Sequence, residues 1–572
     1  MEKRKKKVYI GVGLFIAAFA IIIYLSNRGG ISFQEFTDTI FDIDNEKEAY
    51  ARMENYVASL STFDTEQLTT EEAYTYNLLH KKFNHGILGD EFFYYNELLS
   101  PSGGNQGQYP ILLTEYTFRK KEDIEDYLML LSNTPTYFES LMLFESKKAK
   151  LGLFMPDYSL NKLIEQCNSI VDEDSLNRNA HFLQTSFQER INNAITAQII
   201  TLDEGNSFVK ENNRLLKEQV LTSYIKLGQS LSSLSGNGKN QNGLFYLPQG
   251  KEYYEWLFVE TTGSYTDLDT VYNKLAKDYY DNIHSLNQEL SKFQNSCDLT
   301  MDDIDYFPLS IPEDMVNHLH QNMGKDFPSI SSILPQIKPN LAIKSVSPSL
   351  EDYTAPAYYL IPPIDEVTQN TIYVNRSAGA SGIHLYTTLA HEGYPGHLYQ
   401  TLYYQIYQTS KQDLPVRSIL NYGGYVEGWA LYTELYSFEY AATLLKENTG
   451  KESYASLYSI YADERRSQLA LFSLLDIGIH YYGMTFERAF EIMSSYGISN
   501  ETQAKGIYEY IVEEPANYPK YYWGYLEFMK LKESAKKNWG HSYSDYRFHQ
   551  FVLQAGPSDF ESLNHKLLKK RL

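Results

Sequence analysis

Seven consecutive residues, His391-Glu392-Gly393-Tyr394-Pro395-Gly396-His397, constrain the fold of this chain more than any others. Two imidazoles flank a carboxylate. That is the inventory of a hydrolytic zinc site: imidazoles to hold the metal, and a carboxylate beside its bound water to take a proton. In the regular motif, H-E-x-x-H, the histidines stand at i and i+4 on one helix face. Here the second stands at i+6, roughly 120° away on an unbroken helix. Pro395 cannot donate to the carbonyl of His391, and Gly396 accepts dihedrals closed to other residues. The helix is therefore expected to break or bulge at Pro395-Gly396, swinging His397 back toward His391. The competing reading is a buried helix, kinked at its proline, with two hydrogen-bonded histidines.

A catalytic zinc site takes three protein ligands and keeps one position open. Glu427, in Tyr425-Val426-Glu427-Gly428-Trp429-Ala430, is the candidate third ligand. It follows His397 by 30 residues, enough for one helix to end, turn near Leu414-Pro415 and return as another. Gly428 and Ala430 would let those two helices approach closely. Glu434 lies two turns along the same face and is the reserve ligand. His384 precedes His391 by seven residues, roughly 10 Å along the axis, and reads as a packed or supporting histidine. His480 and His549 stand alone on helical patterns and read as core. Asp463-Glu464-Arg465-Arg466 reads as a solvated charged face.

The remainder of the 572 residues is mostly helical in pattern. Apolar residues recur at spacings of three and four over Glu46–Ser59, Thr70–Phe83, Lys121–Ser132, Thr136–Lys150, Ser175–Leu202, Val209–Leu234 and Asp267–Ser296. Prolines cluster between Pro328 and Pro363, with strand-like runs at Ala357–Ile361 and Thr371–Asn375 around Pro362-Pro363-Ile364-Asp365. A small hairpin is expected directly before the histidine helix. The expected division is residues 1–28 as an N-terminal membrane anchor, 29–340 as a helical region, and 341–572 as the metal-binding region sharing one cleft with it. Cys167 and Cys297 are the two cysteines, which excludes a disulfide framework and leaves one bridge open.

Lys3 to Lys7 precede an uncharged run from Val8 to Leu25, long enough to span a bilayer. The basic flank predicts a cytoplasmic N-terminus and an exported remainder, and no small-x-small cleavage site follows the run. The runner-up is a cleaved signal peptide. Residues 1–28 carry six positive charges and one negative, so the rest carries −22 − 5 = −27. That acidity excludes nucleic acid as a partner.

The segments His391–His397 and Glu427–Ala430 resemble the bacterial family catalogued as domain of unknown function 885, with its H-E-x-x-P-G-H and E-G-W-A signatures. The likeness extends over roughly residues 45 to 572. It includes Gly152–Pro156, Gly243–Gly250, Asp476–His480 and Pro515–Gly524. The resemblance implies a zinc-peptidase-like protein of mainly α, multi-helical zincin-like architecture, related to the gluzincins, with a small β-hairpin or sheet before the metal-binding helix. Carried over, His391, His397 and Glu427 would bind Zn²⁺ and Glu392 would be the general base. Gluzincins often place an acidic supporting residue four after the third ligand. This chain has Leu431 there, so ligand orientation must come from elsewhere. Tyr521 occupies a tyrosine position of the family and is the candidate donor to the oxyanion, with His480 second. The strand ending at Asn375 is expected to pair with an extended peptide, making Asn375 and Tyr373 candidate substrate-binding residues.

The expected function is thus that of a membrane-anchored, extracytoplasmic zinc metallopeptidase with a peptide substrate. Two rivals stand beside it. One is a non-catalytic cell-surface zinc-binding or scaffolding protein, and the other is a zinc amide hydrolase acting on non-peptide or cell-wall substrates. Glu392 favours an enzyme, because metal binding alone needs no carboxylate at that position.

Overall fold

The computed structural model describes residues 53–346, 351, 354–362, 367–411, 417 and 420–570. The expected anchor at residues 1–28, most of the Pro362–Asp365 spacer and the turn at Leu414-Pro415 lie outside them. Among the described residues no helix is long and apolar enough to cross a membrane. The fold is mainly helical with one three-stranded sheet. Two compact units divide the chain, one built on Gly89–Gln241, the other on Glu54–Leu88, Asn242–Val346 and Thr354–Leu572. Residue 340, the expected boundary, falls inside the second unit. Both cysteines are free thiols.

In the first unit, Lys121–Leu151 is one helix, where two were expected to meet at Pro135. Pro135 cannot bond the carbonyl of Leu131, but the Thr134 hydroxyl donates to that oxygen at 2.9 Å, so the helix continues. The expected long helix Ser175–Leu202 is instead broken into Glu173–Asn177 and Phe182–Thr196. Asn179 and Gln198 adopt positive φ at 55° and 60° and end those two segments.

The second unit holds the histidine segment. Its main elements are α1 (Gly250–Thr262), α2 (Leu268–Ser296), β1 (Asn340–Ser345), β2 (Ala357–Leu360) and β3 (Gln369–Val374). There follow α3 (Gly382–Glu392), α4 (His397–Lys411), α5 (Gly423–Thr449), α6 (Ser453–His480), α7 (Asn517–Trp539) and α8 (Asp545–Ala555). Asp267 caps α2, its carboxylate accepting the Thr270 N–H at 2.9 Å. The central helix is α6, buried at every position from Leu469 to His480, as a helix apolar on all sides must be. It packs along α2 on one side and against α5 and α7 on others.

Close approach of α5 and α7 depends on glycine. A Cβ on Gly428 would stand 2.4 Å from the Gly524 carbonyl carbon, and one on Gly524 would stand 2.4 Å from the Gly424 oxygen. The two backbones touch there. Gly428 therefore serves the contact with α7, not the expected contact with the preceding helix.

The sheet has the order β1-β3-β2, with β3 parallel to β1 and antiparallel to β2. The expected hairpin is present as β2 and β3, with Tyr358 opposite Tyr373. β1 was not foreseen, since Asn340-Leu341-Ala342-Ile343-Lys344-Ser345 lacks an alternating pattern and pairs only across a long connection. Its presence makes β3 the central strand, so β3 has no free edge for a peptide. The outer strand next to α3 is β2.

Candidate metal centre

His391 is the penultimate residue of α3, and His397 is the first residue of α4. Between them the Tyr394–Pro395 peptide is cis. The chain folds back so tightly that a Cβ on Gly396 would lie 1.8 Å from the His391 oxygen, so only glycine fits. The Tyr399 N–H donates to the Gly393 carbonyl at 3.2 Å, closing the connector onto α4. Trp429 of α5 holds the same connector, its indole N–H donating to the Pro395 oxygen at 3.0 Å. The two imidazoles end perpendicular, at 89°, with ring centroids 4.8 Å apart.

Glu427, the fifth residue of α5, reaches both rings. Its Oε2 lies 3.5 Å from His391 Nε2 and 3.3 Å from His397 Nε2. These separations match the edges of a tetrahedral zinc shell, about 3.3–3.6 Å for bonds of about 2.0–2.2 Å. The three donor atoms lie within 4.8 Å of one another, the one such cluster of three or more among the described residues. Glu427 Oε2 is buried without a hydrogen-bond partner, which is costly for a carboxylate oxygen unless a cation takes it. The residues therefore fit a zinc ion.

Glu434 stands behind His391 instead of joining the cluster. The Nδ1–H of His391 donates to Glu434 Oε2 at 3.0 Å, which leaves Nε2 free to ligate. Arg465 of α6 in turn donates to Glu434 Oε1 at 2.8 Å. This supplies the orientation that Leu431 cannot, three residues further along α5. Asp463-Glu464-Arg465-Arg466 is thus not a solvated face, for Asp463 is buried and Arg465 points at the centre. Among the described residues no comparable support reaches His397, whose Nδ1 is buried without a partner there.

The charges explain the protonation of the cluster. Burial pulls the His391 imidazole down, yet the neighbouring carboxylates of Glu427, Glu434 and Glu392 outweigh it and raise it to about 10. The lone pair holding that proton is the one a metal takes, so binding is coupled to proton release. Burial likewise opposes ionisation of Glu427, but His397, His391 and Lys520 hold its carboxyl well below the ordinary range.

Glu392 does not join the ligand cluster. Its Oε1 is 3.9 Å from His391 Nε2, while its Oε2 accepts the N–H of Tyr359 on β2 at 2.8 Å. That bond fixes the carboxylate at the rim and shows that Tyr359 turns its N–H away from β3. Tyr521, on the first turns of α7, stacks 6.1 Å from the His391 ring. Burial first, then Glu427, Tyr510 and Glu392, push its phenol well above the usual value, so it keeps its proton.

Other sequence candidates lie elsewhere. Both ring nitrogens of His480 are engaged, Nδ1 accepting from Leu244 N–H at 3.1 Å and Nε2 donating to the Ile511 carbonyl at 2.8 Å. It sits fifteen residues beyond Arg465, roughly 22 Å along α6. It is a core histidine and has no nitrogen to offer a substrate. Asn375 is also spent: its amide donates to Thr354 at 3.0 Å and its oxygen accepts from Ser377, so it binds its own loop. Tyr373 stacks on Tyr358 at 5.1 Å on the central strand. His549 is buried, bonded to Tyr432 and to the Asp326 carbonyl, as a core residue. His384 is exposed, its ring 6.2 Å from Tyr461, so it neither packs in the core nor supports a ligand.

Two residues escaped the sequence. Arg465 and Lys520 reach the centre from α6 and α7, and no local spacing announces either. Lys520 Nζ stands 3.9 Å from Glu427 Oε1, the oxygen turned away from the imidazoles.

Comparison with known proteins follows the whole length. A family model described as "Bacterial protein of unknown function (DUF885)" matches residues 30–567. The fold is similar to the crystal structure of the "putative lipoprotein" from Colwellia psychrerythraea, with a TM-score of 0.77 at 17% identity over 97% of this chain and 98% of that one. It is also similar to a structure from Shewanella oneidensis, again described as a lipoprotein of that kind and of unknown function, with a TM-score of 0.59 at 18% identity over 96% and 97%. At such identities the likeness is one of fold. No curated protein matches the chain.

Proposed function

The chain belongs to the DUF885 family, and from that premise we propose that it is a zinc-dependent peptidase with Glu392 as general base. One observation carries the reading: Glu427 Oε2 is buried and unbonded, 3.5 and 3.3 Å from two imidazole nitrogens, with a non-ligating carboxylate beside them. Zinc bound there would polarise a scissile carbonyl and lower the pKa of its water. His391, His397 and Glu427 hold the ion, and Glu434 fixes the tautomer of His391. Glu392 takes the proton of the attacking water and passes it to the leaving amine. Tyr521, protonated, donates to the oxygen on which negative charge develops.

The strand edge beside Glu392 is the outer edge of β2, where Tyr359 gives its N–H to that carboxylate. The uncharged run at Val8–Leu25 supports an anchored, extracytoplasmic protein, and the two neighbours described as lipoproteins favour a place in the cell envelope.

The test is metal analysis of the purified protein joined to a peptide-library cleavage assay. Wild type should hold one zinc and cleave. Glu392→Gln should keep the zinc and lose turnover by roughly 10²-fold or more, whereas His391→Ala should lose the zinc. A zinc-loaded wild type that cleaves no peptide would return the chain to the scaffolding reading.

A further inference from the structure

We propose that Lys520 seats a substrate carboxylate next to the scissile bond, so that cleavage favours either the C-terminal end of a peptide or an acidic side chain. The inference deepens the peptidase reading and rests on it. Lys520 lies one turn before the Gly424–Gly428–Gly524 crossing, on the side of α7 that meets the first turn of α5. Its stem is held: a Cβ on Gly423 would stand 3.4 Å from Lys520 Cδ and 3.5 Å from its Cβ. The stem thus lies along α5 toward Glu427, and its ammonium ends 5.3 Å from the Tyr521 ring centroid.

At that end the ammonium faces Glu427 as a charge, but its hydrogen-bond donors are unspent. The distance to Glu427 Oε1, 3.9 Å, is too long for a hydrogen bond, and Nζ makes none among the described residues. Glu427 turns its other oxygen to the imidazoles, where an ion would claim its charge. Three N–H donors therefore remain on a side chain that is 25% exposed. A lysine presents a compact point charge, and desolvating it against a neutral group would leave that charge uncompensated even where a carbonyl accepts from it. In a peptide the anion that can meet it is a carboxylate, from the chain end or from Asp or Glu. Glu392 is tied to β2 through the Tyr359 N–H, whereas Lys520 reaches Glu427 from α7, so the two are held by different elements.

Four peptides of one sequence test this: a free C-terminal acid, its C-terminal amide, and amides carrying Glu or Gln beside the cleaved bond. Zinc-loaded wild type should prefer acid over amide, or Glu over Gln, by roughly 10- to 100-fold in kcat/KM. The first pair reports a terminal seat and the second a side-chain seat. Lys520→Met should bring the preferred ratio to about one, and Lys520→Arg should retain a preference. Fluorescence anisotropy with the same peptides on Glu392→Gln reads binding without turnover and should show the same ordering. If wild type cleaves all four alike, or Lys520→Met lowers all four in one proportion, the seat is wrong while the peptidase reading survives. If nothing is cleaved yet the acid still binds more tightly and only with Lys520 present, the seat stands and the peptidase reading falls.

Discussion

Glu434 buttresses one histidine of the pair, and its counterpart for His397 is missing among the described residues. Removing such a support from a metal ligand typically costs about 10- to 100-fold in affinity. Glu434→Ala should lower zinc affinity by about that factor, and Arg465→Met should lower it less because Glu434 remains. Competition titration against a chromophoric chelator measures both, and an unchanged affinity in Glu434→Ala would remove Glu434 from the centre. Glu427 was legible because its distance from His397 and the small residues around it fit a returning helix. Glu434 was legible as a residue on the same face. Its separation of two turns, roughly 10 Å, carries it past the ion to the back of the ring. Arg465 was illegible because a charged run on a helix looks alike whether it meets solvent or a carboxylate on a neighbour.

Among the elements, the crossing of α5 and α7 has the least room. Gly524→Ala places a methyl group 2.4 Å from the Gly424 oxygen, against backbone that cannot rotate away. The helices must separate, at a cost of about 1–3 kcal/mol, and Lys520 and Tyr521 move with α7. Urea unfolding should show that loss, with turnover falling beyond what the unfolded fraction explains. Gly506→Ala is the control: a Cβ there meets nothing within 4 Å, and alanine in an exposed helix should be neutral or stabilise by about 1 kcal/mol. Equal stability for the two variants would show that the backbones do not touch. The crossing was hidden in sequence because three scattered glycines do not say which helix each one meets. The β2–β3 hairpin was readable from its aromatic and β-branched runs, whereas β1 was not, so β3 was given an edge that it does not have.

For the molecule as a whole, two buried groups one turn apart on α6 pull stability in opposite directions with pH. Burial lowers His480 to about 4, from an ordinary 6.5. Its contribution is complete above about pH 6.5 and is lost as pH falls toward 4, by about 3 kcal/mol. Burial raises Asp476 to about 7, against hydrogen bonds from Tyr254 and the Ala516 N–H. Its contribution is complete below about pH 4 and is lost as pH rises through 7, by about 4 kcal/mol. The two oppose across pH 4–6.5. His480→Gln should make stability rise as pH falls through that window, and Asp476→Asn should make it fall more steeply. Urea midpoints at several pH values decide it, and parallel profiles for both variants and wild type would refute the linkage. The helical class was legible from periodicity. The unit boundary was not, because a change of composition near residue 340 marks where strands begin and says nothing of which helices they join. The His391–His397 connector adds a constraint on chain length. Gly393, Pro395 and Gly396 are each fixed by a contact, to the Tyr399 N–H, to the Trp429 indole and against the His391 oxygen. One insertion or deletion between Gly393 and Gly396 would break that set and displace His397 while leaving both histidines and Glu392 present. The interval belongs to the site as fully as the histidines do, and in descendants of this chain changes of length must fall elsewhere.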